Sequence, residues 1–440
     1  MKKSVPEIDF YAGIECYCTN FEGTNGTIKK NNDEFQVSEI IDYKFLKPPN
    51  FSSIQNNEYK FPLYLLDKQN IDSNHAVIEI KKQSGLQLRV LGIKDAKAET
   101  SQYASCERTK NLPKYITTAK TKLALKGFLR TPLSKSALIG NSFKIKINQA
   151  SSNDIEPFLL ELNNIANFYG LQRFGSERMI THLVGKALLN RDYNKAIEYL
   201  LSYTTKYDSK FSKEIRERIR DSNNYQQLIK ILPKGMDLER NIVSAIIKGK
   251  DSISVIRSIP INIRRLFVQA YQSYIFNKCL STSLLCNEDI QKCKDGDLCF
   301  EIEEPLVFGK IRRFKEGIDS NNDVIPAIRL VGYNYQPGKS RFDNVTKKIL
   351  AEENISPKDF YLKDFQELSI QMGFRQTMLC CNEFRYSSVG VGVRGEGGGE
   401  GERKSERGML DLSFRLPKGS YATTLLRELI KPADPIKAGF

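Results

Sequence analysis

The sequence lacks most of the residue patterns on which common enzymes rely. Only two histidines, His75 and His182, occur in 440 residues, so nucleophile activation by histidine is poorly supported. The Walker, HExxH and GxSxG patterns are absent. One GxGxxG spelling, at 390–395, lies in a glycine-rich, charged stretch and not between a strand and a helix, where it could bind a dinucleotide. Nucleotide hydrolysis, dinucleotide redox chemistry and metalloprotease chemistry are therefore disfavoured.

Long apolar runs and cysteine pairs are also missing. No stretch of about 18 apolar residues exists, so neither a membrane-spanning helix nor a membrane partner is expected. The nine cysteines are an odd number without a CxxC spacing, which predicts neither a disulfide framework nor a structural zinc site. The first residues, MKKSVPEIDF, carry charge but lack the apolar segment of a secretory signal. We expect a cytoplasmic protein without a metal site.

Positive charge is what the sequence has in excess. It contains 67 Lys and Arg against 52 Asp and Glu, a net charge of +15. Basic proteins commonly bind polyanions, and nucleic acid is the first candidate, although a general solubility bias gives the same total. Residues 107–135 are rich in Lys and Arg and have almost no acid. They fit either a solvated surface or a strip that contacts phosphates.

The chain is too long for one ordinary core, so two domains are expected. Strand patterns dominate residues 1–175, helical patterns dominate 176–385, and a strand at 409–416 followed by a helix closes the chain. This order predicts an α+β fold with a mixed, largely antiparallel sheet. The first domain would consist of residues 1–175 and 386–440, with 176–385 inserted as the second. The glycine-rich segment 387–408 is predicted to be a loop.

The stretch LRVLGIKDAKAETSQ, residues 88–102, presents a carboxylate at the end of a predicted strand. Residues 96–102 resemble the first turns of a helix, and the local pattern favours Asp95 as its N-cap. A carboxylate at such a junction can also act as nucleophile or base, and the neighbouring Lys94 favours its ionised form. Both roles are compatible with the local sequence.

Several further elements follow from periodicity and punctuation. Strands are predicted at 75–82 and 143–147, and a loop at 44–62. Helices are predicted after Asn153 or Asp154, around a hairpin at 190–192, and over 266–275. The closing helix would be capped by Ser420. His182 falls near the edge of an apolar helix face, which favours a structural histidine over a ligand.

Five separated stretches together match a known family. They are GTIKKNNDEFQVSE near the start, GIKDAKAETSQ, GNSF at 140–143, NFYGLQRFG at 167–175, and FRLPKGSYATTLLRELI at the end; QAYQSYIFN at 269–277 is a weaker sixth. In this order they resemble the TruD family of tRNA pseudouridine synthases, in its archaeal and eukaryotic form. The resemblance spans nearly the whole chain. It implies a pseudouridine-synthase catalytic domain with an inserted α/β TRUD domain.

The resemblance also implies a reaction and a partner. Members of the family isomerise a specific uridine of tRNA, typically uridine 13, by detaching the base from ribose C1′, rotating it and rejoining it through C5. They use neither a metal nor an organic cofactor. The target nucleotide must leave its stack for this chemistry. The sequence leaves the oligomeric state open, and a monomer is compatible with it.

The family's catalytic segment places its aspartate on Asp95. Whether that carboxylate attacks C1′, attacks the uracil ring or abstracts a proton remains open. Lys29 matches a family lysine that pairs with the aspartate. Lys94 is a neighbour of Asp95 in sequence, but successive side chains often point in opposite directions, so Lys29 is the better partner.

Four further residues are assigned to the substrate site by the same resemblance. Phe143 matches the aromatic that stacks on the target uracil, Asn141 a neighbouring polar contact, and Phe35 an aromatic lining the site. The periodicity alone would make both phenylalanines core residues. Arg173 could contact a phosphate or brace the junction between domains.

Two other classes of function stay open at this stage. A non-catalytic RNA-binding or RNA-chaperone protein of the same fold would bind tRNA without modifying it. A different RNA-modifying enzyme, such as a methyltransferase, would require a cofactor site.

Overall fold

The computed structural model describes residues 3–42, 60–92, 94, 96, 98–109, 112–150, 154–221, 224–233, 235–319, 323–389 and 408–440. Asp95 and most of the predicted loop at 387–408 lie outside these residues.

Thirteen strands are formed by the described residues. They are β1 Phe35–Ile41, β2 Phe61–Lys68, β3 Arg89–Val90, β4 Glu99–Ser105, β5 Tyr115–Thr117, β6 Thr121–Leu129, β7 Leu138–Ala150, β8 Leu298–Glu304, β9 Val307–Arg313, β10 Val324–Leu330, β11 Gly373–Gln376, β12 Asn382–Val389 and β13 Gly408–Pro417.

The same residues form twelve α-helices and several short 3₁₀ turns. The helices are α1 Glu7–Tyr11, α2 Ser73–Ser84, α3 Glu156–Leu160, α4 Thr181–Leu189, α5 Tyr193–Leu201, α6 Lys210–Asp221, α7 Tyr225–Ile231, α8 Asp237–Ile247, α9 Ser252–Arg257, α10 Ile261–Leu285, α11 Arg341–Glu352 and α12 Ala422–Ile430.

Nine strands build the larger sheet, in the order β12-β13-β7-β1-β4-β2-β6-β5, with β3 beside β4. Only the β1–β4 pairing is parallel within the described sheet, so the sheet is mixed and largely antiparallel, as predicted. Strands from both ends of the chain meet in it, because β13 pairs with β7 along most of its length. The pairing thus joins the last strand of the chain to the sheet built from its first part.

The register of β1 separates the two faces of the larger sheet. Val37 lies opposite Phe143 of β7 and Thr100 of β4. Residues that lie directly opposite each other in paired strands point to the same side of the sheet, so these three residues share one face, which we call the inner face. Ser38 lies opposite Ser101 and belongs to the other, outer face. Helix α2 also packs on the inner face, where its Ala76 and Ile80 join a buried cluster with Tyr64 and Leu66 of β2.

The middle of the chain forms helices α4–α11 and a smaller antiparallel sheet in the order β11-β10-β8-β9. The predicted helical hairpin is α4 and α5, and the helix predicted over 266–275 is part of α10. Among the described residues no helix has the length and apolarity needed to cross a membrane.

The predicted strand at 75–82 is wrong, since these residues belong to α2. The signals of a helix were present at its ends. Asp72 accepts hydrogen bonds from the backbone N–H groups of Asn74 at 2.9 Å and His75 at 3.2 Å, and Gly85 ends the helix with a left-handed φ of 76°. Capping at both ends outweighs the β-branched residues between them.

The helix predicted over 96–102 is also wrong, because residues from Glu99 onward form β4. This strand lies between β1 and β2 and hydrogen-bonds to both. Its backbone partners come from distant parts of the chain, so tertiary pairing overrides the local helical pattern.

Four smaller differences concern a loop, the basic segment, a helix end and a cap. The loop predicted at 44–62 overlaps β2 at its last residues, and its positions 44–59 lie outside the described residues. The basic segment 107–135 contributes β5 and β6. Helix α3 ends at Leu160, although the apolar positions that predicted this helix continue beyond that residue. At α12 the capping position is Tyr421 and not Ser420.

Candidate substrate site

A cavity of about 510 Å³ opens on the inner face of the larger sheet. All six residues predicted to bind the substrate line it: Lys29, Phe35, Lys94, Asn141, Phe143 and Arg173. They come from four of the five matched stretches of the chain. Sequence motifs that are up to 144 positions apart (29 to 173) therefore converge on one cavity.

Two residues close in sequence to the predicted catalytic position line this cavity. Asp95 itself lies outside the described residues. Lys94, which precedes it, and Ala98, three residues later, both line the cavity.

Aromatic rings form one wall of the cavity. The ring centroid of Phe143 lies 6.4 Å from that of Phe35, in an edge contact, and 5.3 Å from that of Phe414, in a stacked contact. Phe414 in turn stacks on Phe384 at 5.9 Å. Phe35 and Phe143 are each only 6% exposed. They are core residues, as their periodicity indicated, and they also line the cavity.

Each of the three cavity cations is held by a different contact. Lys29 has an uncommon left-handed φ of 58°, and its Nζ lies 4.8 Å from the ring centroid of Phe35. The Nζ of Lys94 lies 3.3 Å from Oε1 of Glu39, a fully buried carboxylate on β1. The guanidinium of Arg173 lies 5.4 Å from the ring centroid of Tyr169. Positive charge is thus held on several sides of the cavity.

Four polar atoms at the cavity are buried and have no hydrogen-bond partner within the described part of the chain. They are Oγ1 of Thr100, Oδ1 of Asn141, Nε of Arg173 and Oγ of Ser420. Buried polar groups normally find a partner, because leaving one unpaired costs about 1–3 kcal/mol. Four such atoms around one cavity are expected of a site that forms hydrogen bonds with a ligand.

Arg375 fixes the wall of the cavity that contains Ser420 and Tyr421. Its guanidinium donates to the carbonyl oxygens of Gly419 at 2.7 Å and Asn167 at 3.0 Å, and lies 3.9 Å from the ring centroid of Tyr169. Burial lowers the pKa of Arg375 from its usual value. This residue of β11 therefore joins the middle of the chain to the motif at 414–430.

Thr100, Ser420 and Tyr421 were not predicted as site residues. Thr100 and Ser420 lie within the matched stretches GIKDAKAETSQ and FRLPKGSYATTLLRELI. Their place in these stretches was the signal that could have identified them. Local pattern assigned Thr100 to a helix and Ser420 to a cap. Only the pairing of β4 with β1 brings Thr100 beside the phenylalanines.

No group of three or more His, Cys, Asp and Glu side chains within the described ranges could hold a metal ion. The cavity instead offers an aromatic wall, three cations and four unpaired polar atoms. A planar ring, an anionic group and several hydrogen-bonding atoms are the complementary features of a nucleotide. The fold and the site are thus those expected of a nucleotide-binding protein.

Comparison with known proteins agrees with this class. The sequence model of the family described as tRNA pseudouridine synthase D (TruD) matches residues 11–429. The chain therefore belongs to the TruD family.

Individual relatives are similar along their whole length. Proteins of Methanosarcina acetivorans and Pyrobaculum islandicum, both named "Probable tRNA pseudouridine synthase D", are 29% and 30% identical to this chain. The alignments cover 98% of both chains in the first case and 99% in the second. A crystal structure of a protein from Methanosarcina mazei that carries the TruD name has a TM-score of 0.71, at 26% identity, over 98% of this chain and 99% of its own.

Proposed function

We propose that this protein isomerises a specific uridine of tRNA to pseudouridine, with uridine 13 as its target and Asp95 as its catalytic residue. The observation that carries the proposal is the convergence of the six predicted binding residues, and of both sides of position 95, on one cavity in a TruD family member. The relatives named above are assigned the same class of reaction.

The reaction balances within the substrate. The bond between N1 and C1′ breaks, a bond between C5 and C1′ forms, and the proton of C5 is finally exchanged for one on N1. Nothing is added or removed, so the isomerisation needs no second substrate. An ionised carboxylate serves as the nucleophile or the base, and Lys29 is its proposed ion-pair partner.

Access to C1′ requires that the target uridine leaves its stack, at a cost of a few kcal/mol. Stacking on an aromatic side chain returns about 1–3 kcal/mol per base. We assign this role to Phe143, with Phe35 against its edge. Because Phe414 supports the Phe143 ring at 5.3 Å, the platform is already formed before RNA binds.

The unpaired polar atoms supply the remaining contacts. Uracil offers one N–H donor and two carbonyl acceptors, and the ribose and phosphate add further acceptors. Asn141 and the hydroxyls of Thr100 and Ser420 can pair with the base or ribose, and Nε of Arg173 can donate to a carbonyl or phosphate oxygen. Lys94 contributes charge near the site while its Nζ stays paired with Glu39.

The proposed organisation follows from the same residues. Residues 1–175 and 386–440 form the catalytic domain, and 176–385 form the inserted TRUD domain. The tRNA lies over the cavity between them, and no metal or organic cofactor takes part. The protein acts in the cytoplasm.

The test is incubation of the purified protein with an unmodified tRNA transcript, followed by carbodiimide mapping of pseudouridine. We expect one modified position, uridine 13, and at least a 10³-fold slower reaction with Asp95→Ala, which removes the group that performs the chemistry. Asp411→Ala is the matched control, because Asp411 is a carboxylate of β13 on the outer face, opposite Lys146.

Each alternative function predicts a different result. A non-catalytic RNA-binding protein would bind the transcript with no modification by the wild type. A methyltransferase would require a cofactor in the reaction. An undiminished signal with Asp95→Ala would remove Asp95 from the mechanism, and a signal at another uridine would correct the target.

A further inference from the structure

Two buried side chains outside the cavity close a hydrogen-bonded circuit on the backbone just before position 95. Nε2 of Gln102 donates to the carbonyl oxygen of Gly92 at 2.7 Å. The Oγ of Ser73 donates to Oε1 of Gln102 at 2.7 Å and accepts from the backbone N–H of Lys94 at 2.9 Å. The circuit therefore ties together two backbone groups that are two residues apart.

The circuit is rigid because its two side chains are shielded from water. Ser73 and Gln102 are both completely buried. Each bond in such a chain polarises the next, and a buried, fully satisfied network holds one geometry. Ser73 is the first residue of α2, and Gln102 lies on β4, opposite Leu66 of β2. The circuit thus transfers the position of a helix and a central strand to the backbone groups of Gly92 and Lys94.

Two further contacts restrain the same segment from other sides. Lys94 Nζ lies 3.3 Å from Oε1 of Glu39, whose second oxygen accepts from the backbone N–H of Tyr103 at 2.9 Å. Beyond position 95, Nδ2 of Asn32 donates to the carbonyl oxygen of Ala96 at 3.3 Å. The residues on both sides of position 95 are therefore anchored to β1, β4, α2 and the turn before β1.

We infer that Ser73 and Gln102 are positioning residues that set the place of the Asp95 carboxylate at the cavity. The inference rests on the proposed function of Asp95. Neither side chain lines the cavity, so both act through the backbone of Gly92 and Lys94. Reactive groups must be held within fractions of an ångström, and a misplacement of about 1 Å can cost about 10²-fold in rate.

The test uses the full-length protein with Ser73→Ala, Gln102→Met and the double variant. Methionine keeps the volume of glutamine and removes its hydrogen bonds. We expect the single-turnover rate of pseudouridine formation to fall about 10–100-fold in each single variant, while the Kd for tRNA stays within about twofold. Because the two residues act through one circuit, their effects should not add. The rate of the double variant should lie within about threefold of the rate of the slower single variant.

Ser105→Ala is the matched control. Ser105 is also buried on β4, and its hydroxyl accepts one backbone N–H, that of Leu133, at 3.2 Å. It should lose a comparable amount of stability and keep the wild-type rate per folded molecule. Ser73→Thr, which retains the hydroxyl, should recover most of the rate. Gln102→Asn, which is shorter and still polar, should remain slow even if Gln102→Met does not fold.

Hydrogen exchange tests the circuit independently of the reaction rate. The amide of Lys94 should exchange at least tenfold faster in Ser73→Ala than in the wild type, because its acceptor is lost. Wild-type rates of modification in folded Ser73→Ala and Gln102 variants would overturn the inference and leave the proposed function in place. Equal rate losses in Ser105→Ala would reduce the circuit to a structural role. An inactive wild type would overturn the proposed function, and the positioning role with it.

Discussion

His182 is buried between two aromatic rings, and its burial makes the folded state sensitive to acid. Its ring lies 5.1 Å from that of Tyr274 in a stacked contact and 5.4 Å from that of Phe174 in an edge contact. Burial lowers the pKa of His182 from 6.5 to about 3, against an opposing effect of the Glu353 charge. The histidine is therefore neutral in the folded protein, which agrees with the structural role predicted from its helix face.

The sign of the pH dependence follows from this lowered pKa. Between about pH 3 and 6.5 the unfolded chain binds a proton at His182 that the folded chain does not. The contribution to stability is complete above pH 6.5 and falls by about 1.4 kcal/mol per pH unit as the pH is lowered. In urea unfolding between pH 7 and 4, the free energy of unfolding should fall more steeply for the wild type than for His182→Phe, by about 1.4 kcal/mol per pH unit. Parallel profiles for the two proteins would contradict the prediction.

Individual cavity residues could be identified from the sequence through family motifs and not through local chemistry. Lys29 and Arg173 match family motifs, and both line the cavity with Phe143. Thr100 and Ser420 lie in two of the matched stretches, but their hydroxyls matter only because pairing of strands and Arg375 bring them to the same cavity. Such proximity is a product of tertiary structure, which no local pattern encodes.

Among the elements, the two that were predicted wrongly are the two that hold the segment before position 95. Helix α2 was predicted as a strand and β4 as a helix, and they carry Ser73 and Gln102 respectively. Residues 75–82 contain β-branched residues in a helix, and residues 99–102 follow a helical pattern in a central strand. In both places the capping or pairing partner overrides local propensity. The strand predicted at 409–416, by contrast, is β13, where the alternation of the sequence and the pairing with β7 agree.

The N-terminal cap of α2 should contribute measurably to the stability of the protein. Asp72 accepts from two backbone N–H groups of the first turn, so Asp72→Ala should lower the free energy of unfolding by about 0.5–2 kcal/mol. Asp72→Asn is the matched control, because asparagine caps equally well, and it should lose far less. Urea midpoints for the two variants provide the measurement. Equal losses in both would show that the charge of Asp72, and not the cap, stabilises this helix.

For the molecule as a whole, the distribution of charge over the two faces of the larger sheet matters more than the total of +15. Lys122 lies opposite Asp67 of β2, which lies opposite Ser101 of β4. This register places Lys122 on the outer face, away from the cavity. Lys120 and Lys122 line a groove on that face together with Ser38 and Glu99. The structure thus favours the solvated-surface interpretation of these two lysines in segment 107–135.

This placement predicts how tRNA binding responds to salt. Exposed charges are screened over about 8 Å at physiological ionic strength, and lysines on the far side of the sheet should not neutralise phosphates of a tRNA that lies over the cavity. The variant Lys120→Glu/Lys122→Glu should therefore leave the Kd within about twofold and the slope of log K against log salt within about 0.5. Each lost phosphate contact would instead reduce that slope by about 0.9. Titrations from 50 to 300 mM salt with a filter-binding assay distinguish these results. A slope reduced by one or two would show that the RNA also reaches around the edge strand β5 to the outer face.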